Sequence, residues 1–219
     1  MDFNVVRENL PLFAEAAVLT ARIAAFGILL ALLVGLIVAA LRFFRIPVLA
    51  QLAQGYVELS RNSPLIVQLF FLYFGLPKLG VVLESEQCAI IGLAFLGGSY
   101  MAEAMRAGLE AVEDIQWQSA FSLGLSKLEA LRHVIMPQAA AVSLPSITAN
   151  MVFLIKETSV VGVVALPELV FTAKEQIGQT YHTREALLLL VVFYLVILLP
   201  VSLVAGVVER KVRRATFGS

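Results

Sequence analysis

Long apolar runs alternate with short polar segments along this chain. Ile23–Leu41 holds no charged residue, and an α-helix needs roughly 20 apolar residues to cross a membrane. Comparable runs follow, although Glu58, Arg61 and Pro64 interrupt the second of them. The pattern predicts a single domain over residues 1–219 with five transmembrane helices, which we place at about 17–42, 49–76, 87–109, 134–156 and 185–209.

The amino-acid composition is that of an integral membrane protein, which is in contact with membrane lipid. Hydrophobic residues make up 60% of the chain, against about 45–50% in soluble domains. The 16 basic and 16 acidic residues cancel, so no overall attraction to nucleic acid is expected. Asp2, Glu8 and Glu15 precede the first apolar run, unlike the basic start of a cleaved signal peptide. We therefore expect the first span to be retained.

The distribution of basic residues predicts how the spans are oriented. Arg42 and Arg45 follow the first span, and Lys127 and Arg132 lie between the third and fourth. Further basic residues follow the fifth span, namely Arg210, Lys211, Arg213 and Arg214. Because Lys and Arg concentrate in cytoplasmic loops, the N-terminus is predicted outside and the C-terminus in the cytoplasm. A shorter apolar stretch, Thr158–Pro167, is predicted to dip into the bundle or to lie at the membrane interface rather than to cross a sixth time.

Residues 114–133 form a polar segment that this topology places in the cytoplasm. Its apolar residues recur at helical spacing, namely Ala120, Phe121, Leu125, Leu128 and Leu131. Glycine costs about 1 kcal/mol in a helix relative to alanine, so Gly124 favours a turn or a close backbone approach. Ser126 and Glu129 have the spacing of a capping box. Two short helices are predicted, which either lie in the lipid headgroups or contact a cytoplasmic protein.

The order of residues in this segment matches a known signature. Gln118-Ser119-Ala120 is followed after three residues by Gly124, and after nine more by Val134-Ile135-Met136-Pro137. This spacing resembles the cytoplasmic signature of permease subunits of ATP-binding cassette (ABC) importers. In that signature Glu-Ala-Ala stands in place of Gln-Ser-Ala, and leucine in place of Met136.

Three further strings extend the resemblance to the polar amino acid permease family, whose substrates are of the His, Glu, Gln, Arg and cystine type. They are RNSPLIVQLFFLYFGLP at 61–77, SYMAEAMRAGLEAV at 99–112, and PQAAAVSLPSI with IKETSVVGVV between 137 and 164. Four such strings in order are specific, whereas one alone would not be.

The resemblance implies the all-α type I ABC importer permease fold in the inner (cell) membrane, with a coupling helix pair between helices three and four. Two permease subunits, identical or paralogous, would form the pathway, two ATPase subunits would drive it, and an extracytoplasmic binding protein would deliver a polar amino acid. The chain contains no Gly-x-x-x-x-Gly-Lys-Ser/Thr sequence. ATP and Mg²⁺ are therefore expected on the partner ATPase, and neither a cofactor, a metal site nor a catalytic residue is expected here.

The resemblance also assigns residues 114–133, hereafter the coupling segment, to contact with the ATPase. Its alanine, phenylalanine and leucine side chains are expected to make apolar contacts, and its lysine, glutamate and arginine side chains are expected to form a polar rim around them. The residues concerned are Gln118, Ala120, Phe121, Gly124, Leu125, Lys127, Leu128, Glu129 and Arg132.

Polar residues within or beside the spans are candidates for the substrate pathway, because charges at membrane depth normally face a cavity or a partner. They are Asn62, Ser63, Ser99, Tyr100, Glu103, Asn150, Glu157 and Thr158. A break at Pro64 would free backbone groups to face a cavity. Glu157 would receive an α-ammonium group, and Asn150, two helical turns earlier, would contact the substrate side chain.

Structural interpretations of the same charges stay open beside these. Glu58 is expected to pair with Arg61, Glu103 with Arg106 within one helix, and Glu157 alternatively with its neighbour Lys156. A secondary transporter or channel for small polar solutes is the alternative function. It is disfavoured because five spans without an inverted repeat leave an incomplete pathway and because it gives the coupling segment no role.

Overall fold

A computed structural model describes residues 1–217, and they contain helices and connecting turns without any strand. The α-helices are α1 (Phe3–Phe43), α2 (Leu49–Arg61), α3 (Leu65–Phe70), α4 (Ser85–Glu110), α5 (Asp114–Ser122), α6 (Lys127–Ala130), α7 (Met136–Glu157), α8 (Leu169–Thr180) and α9 (Thr183–Phe217). Short π-helical and 3₁₀ turns extend α3 and α7, namely Phe71–Gly75, Leu76–Leu79, Leu131–Ile135 and Thr158–Val164.

Four helical stretches within residues 1–217 are long and apolar enough to cross a membrane. They are α1, α4, the run 127–164 that contains α7, and α9. Helix α1 has 41 residues and is therefore about 60 Å long, twice the roughly 30 Å hydrocarbon core. It begins at Phe3 rather than near residue 17, because Asp2 caps it and Pro11 in its early turns does not end it.

The predicted second span, residues 49–76, is not one continuous helix. Helix α2 ends at Arg61 and α3 begins at Leu65, because Pro64 lacks the N–H that would continue the ladder. Backbone carbonyls that the break frees accept hydrogen bonds from a side chain of α3. The side-chain amide Nε2 of Gln68 donates to the carbonyl oxygens of Ser60 and Ser63, each at 3.2 Å.

Helix α4 forms the centre of the bundle, between α1 and α7. Its double glycine Gly97-Gly98 allows the close approach that the sequence indicates. A Cβ atom at Gly97 would lie 2.8 Å from the Cβ of Ala31 on α1 and 2.5 Å from Leu154 Cδ1 on α7. Any side chain at this position would therefore separate the three helices.

The short apolar stretch after α7 forms a 3₁₀ helix, Thr158–Val164, packed against α3, α4, α7 and α8. Glu168 follows it and begins α8. Although it is charged in water, its side chain is buried, and its carboxylate accepts hydrogen bonds from the backbone N–H groups of Val170 (2.8 Å) and Phe171 (2.7 Å). This capping contact fixes where α8 starts.

Candidate functional site

An open cavity of about 450 Å³ lies beside the break between α2 and α3. Its walls come from α2, the break itself, α4 and the end of α7. The polar residues that line it are Arg61, Asn62, Ser63, Tyr100 and Glu157, four of which are among the predicted pathway residues. The break therefore places α2 residues opposite the end of α7, a juxtaposition that an unbroken helix would not give.

Arg61 and Glu157 bring opposite charges to this one cavity. The guanidinium of Arg61 lies over the ring of Tyr100, with 5.2 Å between Cζ and the ring centroid, which is within the range of a cation–π interaction. Tyr100 in turn packs against Phe153 of α7, with ring centroids 5.3 Å apart. Lys156 is exposed and does not line the cavity, whereas Glu157 does.

Four predicted pathway residues do not line this cavity, and three of them make hydrogen bonds to backbone carbonyls instead. Ser99 is fully buried and its hydroxyl donates to the carbonyl of Leu96, while Thr158, also fully buried, donates to the carbonyl of Ile155. The amide of Asn150 donates to the backbone carbonyl of Tyr100 at 3.2 Å. Asn150 thus holds the backbone of a residue that lines the cavity. The hydroxyls of Ser99 and Thr158 are engaged by backbone carbonyls of α4 and α7.

Glu103, the remaining predicted pathway residue, lines a second cavity of about 460 Å³ together with Arg42, Arg61 and Arg106. The expected pair of Glu103 and Arg106 is present, with 2.9 Å between Oε2 and Nη2. The prediction that Glu58 pairs with Arg61 is wrong. Arg61 instead approaches Glu103, with 3.8 Å between Nη1 and Oε2, and Glu58 accepts a hydrogen bond from Gln54.

The coupling segment has the helix, turn and helix arrangement that its sequence predicts. Gly124 has φ +82°, a left-handed conformation that glycine adopts without strain. The N–H of the next residue, Leu125, donates to the carbonyl of Ala120 at 3.1 Å, as in a Schellman motif at the end of a helix. No atom of the described residues outside the chain neighbours lies within 4 Å of a Cβ placed at Gly124, so within the permease itself the left-handed turn accounts for this glycine.

The predicted capping box begins the second helix of the segment. Glu129 N–H donates to Ser126 Oγ at 3.4 Å, and Ser126 N–H donates to Glu129 Oε2 at 2.9 Å. The Ser126 hydroxyl also donates to the same carboxylate at 2.6 Å.

The segment exposes apolar side chains, but not all of those expected. Phe121 is 48% exposed and Leu128 73% exposed, whereas Ala120 is buried and Leu125 is half-buried. The polar residues Gln118, Lys127, Glu129 and Arg132 are all exposed. Leu123, which sequence reasoning omitted, is the most exposed of the apolar set at 82%. Its position directly before Gly124 was the available signal, because a residue at a helix end projects beyond the helix.

Trp117 attaches the coupling segment to the bundle. It is partly buried against a cluster of Val112, Ile135 and Ala139, and its ring lies 5.9 Å from that of Phe121. The segment is thereby packed on the start of α7 while Phe121 stays exposed. Motion of the exposed face would pass to α7 through this contact, since packed side chains transmit rigid-body displacement.

A comparison with family models decides the class of this chain. Residues 16–214 match the model of the binding-protein-dependent transport system inner membrane component. The chain belongs to this family. It is thus a membrane-spanning permease component of a transport system, as the four resembling strings predict.

Curated relatives and a solved structure agree over nearly the whole permease. A probable amino-acid ABC transporter permease of Vibrio harveyi, PatM, is 33% identical over 98% of this chain and 97% of its own. A probable glutamine ABC transporter permease of Bacillus subtilis, GlnP, is 36% identical over 82% of this chain and 84% of its own. A chain from the crystal structure of an amino acid ABC transporter with histidines superposes with a TM-score of 0.89 at 30% identity, covering 96% of this chain and 99% of that one. The fold is that of type I ABC importer permeases.

Proposed function

We propose that this permease carries a polar amino acid across the inner membrane as the transmembrane subunit of an ABC importer. The observation that carries the proposal is the cavity that holds Arg61 and Glu157 together. A free amino acid presents a carboxylate and an ammonium group at one carbon, and a guanidinium and a carboxylate are their charge complements. A volume of about 450 Å³ is within the usual range of small-molecule sites, roughly 300–1,000 Å³.

The coupling segment supports an external ATPase as the energy source. Phe121, Leu123 and Leu128 are exposed at one end of the bundle, and an apolar patch of this kind marks a contact surface. A partner ATPase would bind ATP and Mg²⁺ and drive the transport cycle, so that catalysis does not reside in this chain. A secondary transporter or channel has no use for such a segment, and the cavity alone does not favour one.

The assembly expected around the permease has three further components. A second permease subunit, an identical copy or a paralogue, completes the pathway, two ATPase subunits bind the coupling segments, and an extracytoplasmic binding protein supplies the amino acid. In this arrangement the coupling segment and the C-terminus face the cytoplasm and the N-terminus lies outside, in agreement with the distribution of Lys and Arg.

Direct binding of amino acids tests the proposed cavity. In the purified permease–ATPase complex, replacing Glu157 with glutamine should weaken binding of the preferred radiolabelled amino acid about tenfold or more, because a charged hydrogen-bond partner is lost. Glu8→Gln, which removes an exposed carboxylate of α1, is the matched control. Equal affinity in wild type and Glu157→Gln would move the site elsewhere.

Coupling is tested at Gly124. The Gly124→Asp variant should insert in the membrane yet lose ATP-dependent uptake and co-purification of the ATPase. It places a charge on the apolar contact surface, at a position whose φ of +82° favours glycine. Gly178→Asp is the control, since this glycine of α8 also has open space around it. Uptake that continues without any ATPase would contradict the proposed energy source.

A further inference from the structure

A cluster of charges links three helices next to the amino acid cavity. Glu103 on α4 is approached by Arg42 from the end of α1, by Arg61 from the end of α2, and by Arg106 one turn further along α4. Arg106 also contacts Glu110 at 2.5 Å, in the last turn of α4. Since the coupling segment begins four residues later at Asp114, the cluster lies between the cavity and that segment.

The three arginines are held unequally. Arg42 and Arg106 both donate hydrogen bonds to the Glu103 carboxylate, and their side chains are 16% and 30% exposed. Arg61 makes an ion pair at 3.8 Å without a hydrogen bond to Glu103, and its side chain is 43% exposed. Its guanidinium is the one member of the cluster that can leave without breaking a hydrogen bond to Glu103.

Arg61 also lines both cavities, together with Asn62 and Tyr100. In one cavity it faces Glu103 and its arginine partners, and in the other it shares the wall with Glu157. A substrate carboxylate that enters the cavity lined by Glu157 therefore meets a guanidinium that Glu103 already engages weakly. Both carboxylates compete for one cation.

We propose that Arg61 exchanges between Glu103 and the substrate carboxylate, and that Glu103 is a positioning residue which reports the filling of the cavity to the coupling segment. Without substrate, Glu103 holds the guanidinium of Arg61, at the end of α2, near α4. When the substrate carboxylate takes Arg61, this link between the two helices is lost, and Glu103 keeps its other arginine partners on the helix that leads to Asp114. This inference rests on the proposed function, because it requires an amino acid in the cavity.

Equilibrium binding separates this role from a merely structural one. In the complex of permease and ATPase without the binding protein, Glu103→Gln removes the competitor for Arg61, so the Kd of the preferred amino acid should fall about threefold, the range of a partly exposed ion pair. In the complete system the ratio of substrate-stimulated to basal ATP hydrolysis should fall towards one. Tighter binding with lost stimulation is not the result of a loosened fold.

A double-mutant comparison assigns the effect to Arg61. In an Arg61→Gln background, Glu103→Gln should leave the Kd unchanged. The shared guanidinium of Arg61 is then gone, and the other two arginines of the cluster do not line the cavity with Glu157. Glu58→Gln is the matched control, since it removes a carboxylate of the same cavity that contacts Gln54 rather than Arg61, and neither the Kd nor the ATPase ratio should change. Should Glu103→Gln not assemble, Glu103→Asp withdraws the charge from Arg61 by one methylene and should lower the Kd in the same direction.

The outcomes distinguish the two proposals. Absence of amino acid binding to the wild-type complex across a panel of amino acids overturns the proposed function. If the wild-type complex binds an amino acid, but the Kd is unchanged or higher in Glu103→Gln or Glu103→Asp, only the exchange of Arg61 is overturned.

Discussion

At the scale of single residues, buried polar groups of the permease fix the local backbone geometry through hydrogen bonds. Glu168 is the clearest case, because its side chain is buried outside the spans yet caps α8 through two backbone N–H groups. Burial raises the pKa of this carboxyl to about 7, and the two capping hydrogen bonds only partly offset that effect. The folded state therefore retains a proton on Glu168 at a pH where the unfolded chain has lost it.

The raised pKa predicts how stability depends on pH. The contribution of Glu168 is fully present below the ordinary glutamate pKa of about 4.3 and is lost as pH rises through about 7. Glu168→Gln should flatten the fall in melting temperature over this window, measured by thermal unfolding in detergent. Glu175→Gln, an exposed carboxylate of α8, should keep the wild-type slope. Identical slopes in both variants would contradict the assignment.

At the scale of elements, the break between α2 and α3 is stabilised by a side chain in place of a helical ladder. Gln68 donates to two backbone carbonyls and to the hydroxyl of Ser63, the last at 2.9 Å. Non-helical backbone at membrane depth is tolerated only where such groups are satisfied within the protein. The position of Arg61 and Asn62 at the cavity wall thus depends on Gln68.

Removal of this amide should destabilise the break. Gln68→Ala removes the amide that donates to the carbonyls of Ser60 and Ser63, and the Ser60 carbonyl keeps only the 3.4 Å hydrogen bond from Ser63 Oγ. This loss should cost about 1–3 kcal/mol of stability and weaken amino acid binding. Gln51→Ala, on an exposed position of α2, should change neither. Thermal unfolding and ligand binding on the same preparations check this, and a Gln68→Ala variant as stable as Gln51→Ala would show that the break needs no such support.

At the scale of the whole molecule, one end of the bundle presents an apolar surface on a segment anchored to α7. Leu123 is 82% exposed there, and Trp117 of the same segment packs on Val112, Ile135 and Ala139. A partner seated on this surface would act on α7, whose far end carries Glu157 at the cavity. In the proposed assembly, α7 would thus connect the contact with the ATPase at one end to the amino acid cavity at the other.

Leu123 is expected to be a main contact of the ATPase. Leu123→Ser should lower the amount of ATPase that co-purifies with the permease, because an exposed leucine buried on binding contributes roughly 1.5–3 kcal/mol. Val82→Ser is the control, since Val82 is 79% exposed in the connection between α3 and α4. Equal recovery of the ATPase with both variants would place the contact on Phe121 and Leu128.

Features set by neighbouring residues could be predicted from the sequence, and long-range contacts could not. Gly124, the Ser126 and Glu129 capping box, and the pair of Glu103 with Arg106 all follow from spacings of a few residues. The contacts of Glu103 with Arg42 and Arg61 depend on how α1, α2 and α4 cross, which no local pattern encodes. The expected pair of Glu58 and Arg61 was wrong for this reason, since a partner on α4 lay closer than sequence proximity indicated.

Trp117 is the single tryptophan of the chain, and it lies in the coupling segment. Selectively excited fluorescence of the isolated permease therefore originates from one place. The ring touches both the anchored side and, through Phe121, the exposed side of that segment, so its emission wavelength responds to changes in local solvation. The permease thus carries an intrinsic fluorescent reporter in the coupling segment, where the ATPase is proposed to bind.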